Sequence, residues 1–226
     1  MDTLDIAIIG AGNIGGNLTR LLTGLGHRVR VANSRGPESL ADLAAETGAT
    51  AVTNAAAAAG ADLVVVTVPM KAVPQLPGGL LDGVADGTVV VDTCNYYPRE
   101  RDGRIDALED GTPETVWVAQ HLDPSSRLRW VKAFNGIHAE HLLTAGRPAG
   151  DPERRALPIA GDDADAKARV GQLLDAVGFD VVDAGSLADS WHQQPGTPVY
   201  GAEAGVDGIT AALAEAPRER PEAFRG

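Results

Sequence analysis

The chain is poor in cysteine, in aromatic residues and in positive charge. It holds one cysteine, Cys94, in 226 residues, which excludes an internal disulfide framework and a cysteine-rich zinc site. Aromatic residues make up 4%, so the core must be built from Ala, Val, Leu and Ile, as in a buried parallel sheet covered by Ala-rich helices. Lys and Arg number 19 against 31 Asp and Glu, for a net charge of −12. A protein that grips a nucleic acid backbone shows the opposite balance, and no nucleic acid partner is expected. No apolar run approaches the roughly 18 residues that cross a bilayer, so no membrane partner is expected either. Residues 1–10 place two acids around an apolar strand, which is not the pattern of a signal peptide. The expectation is a soluble, cytoplasmic protein.

What remains is ordinary globular composition, 44% apolar and 22% charged. At about 150 residues per domain, the length suggests one full domain, residues 1–155, and a smaller α/β portion, residues 156–226. Short β-branched runs at 4–9, 28–33, 62–68, 88–92 and 130–134 read as strands. Helical spacing follows the first at Leu18, Leu21, Leu22 and Leu25 and stops at Gly26. A second helix is expected over 38–46, with Pro37 in its first turn and Gly48 past its end. A strand–helix–strand unit follows at 157–160, 163–177 and 180–183, and a last helix at 206–215. Residues 98–113 read as a loop, and the polar tail from Pro217 should fray. This alternation predicts a doubly wound α/β fold, a Rossmann-type parallel sheet with helices on both faces, with ligands outside the carboxyl ends of the strands.

The first strand runs directly into Gly10-Ala11-Gly12-Asn13-Ile14-Gly15. A lone GxGxxG is common, but one between a strand and a helix fits a dinucleotide site. Gly10 permits the tight turn, Gly12 lets a pyrophosphate approach the backbone, and Gly15 lets helix and strand pack closely. The helix start attracts the phosphates. An NAD site places an acid at the end of the second strand. Here Asn33, Ser34 and Arg35 stand there, and such groups bind a phosphate where a carboxylate would repel it. NADP(H) is therefore expected over NAD(H).

These segments, with Thr67-Val68-Pro69, Lys132-Ala133-Phe134-Asn135, Ala160-Gly161-Asp162-Asp163 and Asp183-Ala184-Gly185-Ser186-Leu187, resemble the NADP oxidoreductase family that uses the deazaflavin coenzyme F-420. The likeness spans roughly residues 4–195. The chain is also similar to the cytosolic reductase domain of the six-transmembrane epithelial metalloreductases, which pair NADPH with a flavin. The resemblance implies a Rossmann core with a small carboxyl-terminal portion closing the acceptor cleft, and a homodimer. It implies that Gly10, Gly12, Asn13, Ile14 and Gly15 hold the pyrophosphate and that Ser34 and Arg35 hold the adenosine phosphate. Thr67, Val68 and Pro69 would border the nicotinamide ribose, with Ala133, Phe134 and Asn135 near the nicotinamide. Asn95 matches another strand end of the family. The 96–113 loop and the 190–196 segment depart from the family pattern.

The small-molecule acceptor is expected between these strand ends and the segment from Ser186 to Gln194, with Cys94, Ser186, Leu187 and Trp191 as candidate contacts. The Trp191 ring could stack on a flat heterocycle. A deazaflavin or flavin takes up the charge itself, so no side-chain acid is required of the protein; a small carbonyl or imine would need a proton donor. Both acceptor classes stay open, as does a non-catalytic NADP-binding sensor. A hydroxy-acid or imine dehydrogenase usually adds a large helical domain, and the stretch beyond Pro195 is too short for one. His138 and His141 lie three apart on an expected helix without a third ligand, and no metal is expected. Arg35→Ala should cost NADPH about 1.5–3 kcal/mol of binding, the range for charged hydrogen bonds, while leaving NADH unchanged. Calorimetric titration of both cofactors checks this; equal wild-type affinities would refute the NADP assignment.

Overall fold

The structure is a computed structural model that describes residues 2–226. Its strands are β1 Asp5–Ile9, β2 Arg28–Ala32, β3 Thr50–Ala51, β4 Leu63–Val66, β5 Val89–Asp92, β6 Arg129–Lys132, β7 Ala156–Gly161 and β8 Asp180–Asp183. Its α-helices are α1 Asn13–Gly24, α2 Ala41–Thr47, α3 Asn54–Ala57, α4 Asp106–Glu109, α5 Glu114–Leu122, α6 Ala139–Thr144, α7 Ala164–Ala176 and α8 Val206–Ala214. The strands form one sheet in the order β3-β2-β1-β4-β5-β6-β7-β8. All positions of β4 and β5 are buried, as expected of parallel strands covered on both faces. One face carries Ile6, Ile8, Leu18, Val31, Phe134 and Val170 in its core, the other Ile9, Val64, Met70, Tyr96, Trp117 and Trp130.

The sheet is parallel from β3 to β6 and then reverses, because β7 pairs antiparallel to β6, and β8 runs parallel to β7. The cause lies in the connection after β6. Its helix α6 has six residues, about 9 Å of rise, and packs across the start of α1, where Asn17 donates to the Ala139 carbonyl at 2.7 Å. The chain stays at the carboxyl edge and β7 starts there.

Three further features differ from the sequence-based expectations. The strand expected over 130–134 stops at Lys132, because Phe134 takes a φ of 58° and turns the chain. The 98–113 stretch is not loop but a π-helical turn at Pro98–Asp102 followed by α4. The tail packs against the body of the protein. The Arg104 guanidinium donates to the Gly226 carbonyl at 2.9 Å, and Arg220 reaches the buried Glu114 at 2.9 Å.

That last contact closes a buried charge cluster. Lys132, with a fully buried side chain, lies 3.3 Å from Asp92 and 3.7 Å from Glu114, and it donates to the Cys94 carbonyl. Asp92 accepts from the Thr115 hydroxyl at 2.6 Å and from the Cys94 amide at 2.9 Å. Burial alone would depress the Lys132 ammonium, but Asp92 and Glu114 outweigh it and hold its pKa above the usual lysine value. Burial raises the Glu114 carboxyl above the usual carboxylate range, opposed by Lys132 and Arg220. Two cations and two carboxylates balance, and breaking such a set strands a charge. Lys132→Met should therefore lower the unfolding free energy by about 3–5 kcal/mol near pH 8. A carboxyl raised on folding binds its proton more tightly in the native state, so the deficit should shrink as pH falls toward the ordinary glutamate range. Urea melts of both proteins across that range provide the check.

Candidate active site

The β1–α1 turn is built by steric necessity. Gly10 has a φ of 105°, and a Cβ there would sit 2.1 Å from the Thr67 carbonyl oxygen. A Cβ on Gly15 would sit 1.9 Å from the Gly10 carbonyl oxygen. Only glycine lets the turn, α1 and the end of β4 come this close. Gly12 is different, since a Cβ there would meet nothing within 4 Å. Its surroundings are open where a pyrophosphate must approach. Gly12 is also the N-cap of α1, with no side-chain cap and no acid in the first turn. The N–H groups of that turn, from Asn13, Ile14 and Gly15, are thus left for an anion.

From this turn a cleft of about 740 Å³ runs past Asn13 and Arg20 to Arg35 and Ser39. Arg35 has no carboxylate partner among the described residues. Ser34 is exposed beside it. Asn33 lies in the same loop. Its Oδ1 accepts from the Arg35 amide at 2.9 Å and its Nδ2 donates to the Ser39 hydroxyl at 2.9 Å, so it shapes the loop that presents Arg35. Ser39 was missed by sequence reasoning; its position two residues after Pro37, in the first turn of a helix, was the available signal.

At the other end of the sheet edge, Thr67 and Val68 are half-buried and Pro69 is exposed. Asn95 and Asn135 are brought together. Asn95 Nδ2 donates to the Asn135 carbonyl at 2.9 Å, and Asn135 Nδ2 donates to Asn95 Oδ1 at 3.1 Å and to the Gln193 carbonyl at 2.7 Å. Gln193 Nε2 returns a bond to Asn135 Oδ1 at 2.9 Å. Ala133 and the Phe134 ring are buried in the core; what Phe134 offers the site is its backbone turn. Gln193, Tyr97 and Tyr200 also belong to this edge. Gln193 falls within the 186–194 segment expected there, whereas Tyr200 lies outside every expected segment because its partners are far away in sequence.

The four expected acceptor contacts are not at this edge. Cys94 points into the core, its Sγ 3.8 Å from the Val66 carbonyl, and burial, reinforced by Asp92, pushes the thiol well up. Ser186 and Leu187 follow β8, which runs against β1–β6, and so lie at the amino-terminal edge of the parallel strands. There the Leu187 amide donates to Asp162 at 2.9 Å. Ser186 closes a capping box with Asp189. The Trp191 ring is occupied, stacked on His192 at 3.6 Å between centroids, with the Arg218 guanidinium 4.9 Å from its own centroid. His141 pairs with Glu203 at 2.8 Å. Among the described residues no group of His, Cys, Asp and Glu could hold a metal ion, and no helix is long and apolar enough to cross a membrane.

The parallel sheet and the glycine turn at the start of α1 are of the Rossmann, dinucleotide-binding type. Residues 5–96 match the model of the family described as NADP oxidoreductase, coenzyme F420-dependent. A hypothetical protein of Sinorhizobium meliloti, SMa0349, has a structure similar over 89% of this chain and 94% of its own, with 30% identity and a TM-score of 0.72. A protein of Arthrobacter sp. FB24 assigned as an F420-dependent NADP-reductase is 25% identical over 81% of this chain and 86% of its own, with a TM-score of 0.67. Metalloreductase STEAP3 of Rattus norvegicus is 31% identical over 82% of this chain and 34% of its own. The chain is similar to the coenzyme F420-dependent NADP oxidoreductases, whose family model matches less than half of its length. It spans little more than a third of the curated relatives it matches, 39% and 34% of their lengths.

The open space at Gly12 gives a direct test. Gly12→Leu should fold with a stability change of no more than about 1 kcal/mol, the scale of an N-cap substitution, yet lose at least tenfold in NADPH affinity by calorimetry. Undiminished binding would place the pyrophosphate elsewhere.

Proposed function

We propose that the protein transfers a hydride between NADP(H) and a deazaflavin (coenzyme F-420) or flavin-type acceptor. The observation that carries this reading is the uncapped start of α1 beneath the open Gly12 position, continuous with a cleft that presents Arg35. An anion is favoured at such a helix start. A guanidinium free of carboxylate partners suits the extra phosphate that separates NADP from NAD.

The nicotinamide supplies the hydride when bound. The chain's part is to orient it and exclude water. The amides of Asn13, Ile14 and Gly15 hold the pyrophosphate. Ser34, Arg35 and Ser39 hold the adenosine phosphate. Thr67, Val68 and Pro69 border the ribose, and the Asn95–Asn135 pair forms the wall beyond it. Positioning of this kind can remove several kcal/mol of the barrier, roughly 7–11 at the upper range. Lys132 lies close behind this wall, but it is fully buried and spent on Asp92, Glu114 and the Cys94 carbonyl, so it is not a proton donor to substrate.

The test is a direct assay of nicotinamide absorbance with NADPH or NADH against oxidised coenzyme F-420, FMN and a small cyclic imine. NADPH oxidation by the deazaflavin or the flavin, much slower with NADH, is the expected result. Oxidation by the imine alone would overturn the acceptor assignment, and equal rates with NADH would overturn the cofactor assignment.

A further inference from the structure

The strand-end wall carries a directed chain of hydrogen bonds, and its direction can be worked out from fixed acceptors. Gln193 Nε2 lies 3.4 Å from the Lys132 carbonyl and 3.3 Å from the Pro158 carbonyl. Backbone oxygens accept only, so this end of the amide is the donor end. The same nitrogen donates to Asn135 Oδ1 at 2.9 Å, which makes the Asn135 Nδ2 the donor to the Gln193 carbonyl and to Asn95 Oδ1. Asn95 Nδ2 must then face the Asn135 carbonyl at 2.9 Å and the Tyr200 hydroxyl at 3.2 Å. Every amide flip in the series is set by a carbonyl that cannot donate.

The Tyr200 oxygen thus accepts from Asn95, and its hydroxyl meets that of Tyr97. Two phenol protons share one contact. If Tyr97 donated, the proton of Tyr200, a hydroxyl that burial desolvates, would have no acceptor among the described residues. Buried polar hydrogens are paired in native proteins, so Tyr200 donates to Tyr97. Burial, followed by the bond to Tyr97, raises the Tyr200 pKa well beyond the usual phenol range, and this hydroxyl keeps its proton. The unspent proton of the series is the one on Tyr97. It sits on the loop that leaves β5, two residues after Asn95. The segment carrying Tyr200 is tied over the end of β6 by the Gly201 amide, which donates to the Gly136 carbonyl at 3.0 Å.

We propose that Tyr97 is a catalytic residue of the acceptor site. Its hydroxyl donates a hydrogen bond to the carbonyl oxygen or ring nitrogen conjugated with the carbon that receives the hydride. Asn95 and Tyr200 act as positioning residues that keep the proton turned outward. The inference rests on the hydride-transfer reading above and names what that reading left open, the group that meets the acceptor. The step balances: NADPH gives its C4 hydride to the acceptor carbon and becomes NADP⁺. The conjugated oxygen or nitrogen gains the electron pair and takes the Tyr97 proton. Solvent then returns a proton to the phenolate.

The experiment compares wild type, Tyr97→Phe and Tyr200→Phe in NADPH oxidation by oxidised coenzyme F-420 and by FMN, with NADPH affinity measured by calorimetry. Tyr97→Phe should lose at least tenfold in kcat, keep NADPH affinity within twofold, and lose the solvent deuterium isotope effect on kcat shown by wild type. Tyr200→Phe, which leaves the Tyr97 proton in place but undirected, should lose less and retain the isotope effect. A Tyr97→Phe variant within twofold of wild-type kcat for both acceptors overturns the role of Tyr97 while leaving the hydride-transfer reading intact. A wild type that binds NADPH and reduces neither acceptor overturns that reading, and the donor role falls with it.

Discussion

The buried ammonium of Lys132 is the constraint on which the acceptor edge depends. Its three partners are Asp92 at the end of β5, Glu114 at the start of α5 and the carbonyl of Cys94. Placing an ion there costs desolvation that only close, complete pairing offsets, so the three partners cannot drift independently. Asp92 also holds the Cys94 amide, so both backbone groups of Cys94 are fixed by one cluster. Asn95 is the next residue. The position of the whole polar wall follows from a cation that never meets a ligand.

The two ends of the cleft are made rigid by different physics. At the nucleotide end the cause is repulsive and local: Gly10 and Gly15 permit approaches of backbone that a single Cβ would forbid. At the acceptor end the cause is attractive and distant, a run of amides and phenols in which each group's orientation is forced by its neighbour. The first kind tolerates no side chain but needs no partner from elsewhere. The second needs every partner present, since a half-satisfied buried network is worse than none.

This difference explains what could be read from the sequence. The glycine turn, the alternation of strands and helices, and Arg35 at the end of β2 are local patterns, and all stand in the structure where they were expected. The reversal at β7 was not legible. It follows from the shortness of α6 and from its docking on α1, neither of which periodicity reports. Ser186 and Leu187 were assigned to the acceptor cleft because a parallel β8 would have ended there. The docked tail was missed because a polar composition looks like solvent exposure until Glu114 is known to be buried beneath Arg220. The Trp191 ring, a candidate to stack on a flat heterocycle, lies against His192 and Arg218, which its place in the sequence does not show.

The sequence separations of these contacts also imply an order of assembly. The Gly10–Thr67 turn needs only the first third of the chain, whereas Asn95 finds Tyr200 across 105 residues and Glu114 finds Arg220 across 106. Long loops must close before such contacts give any return, and chains emerge from synthesis amino end first. A nascent chain of this protein completes the cradle for its nucleotide well before the wall that faces the acceptor exists. Arg220 brings the fourth charge to the buried cluster only after that.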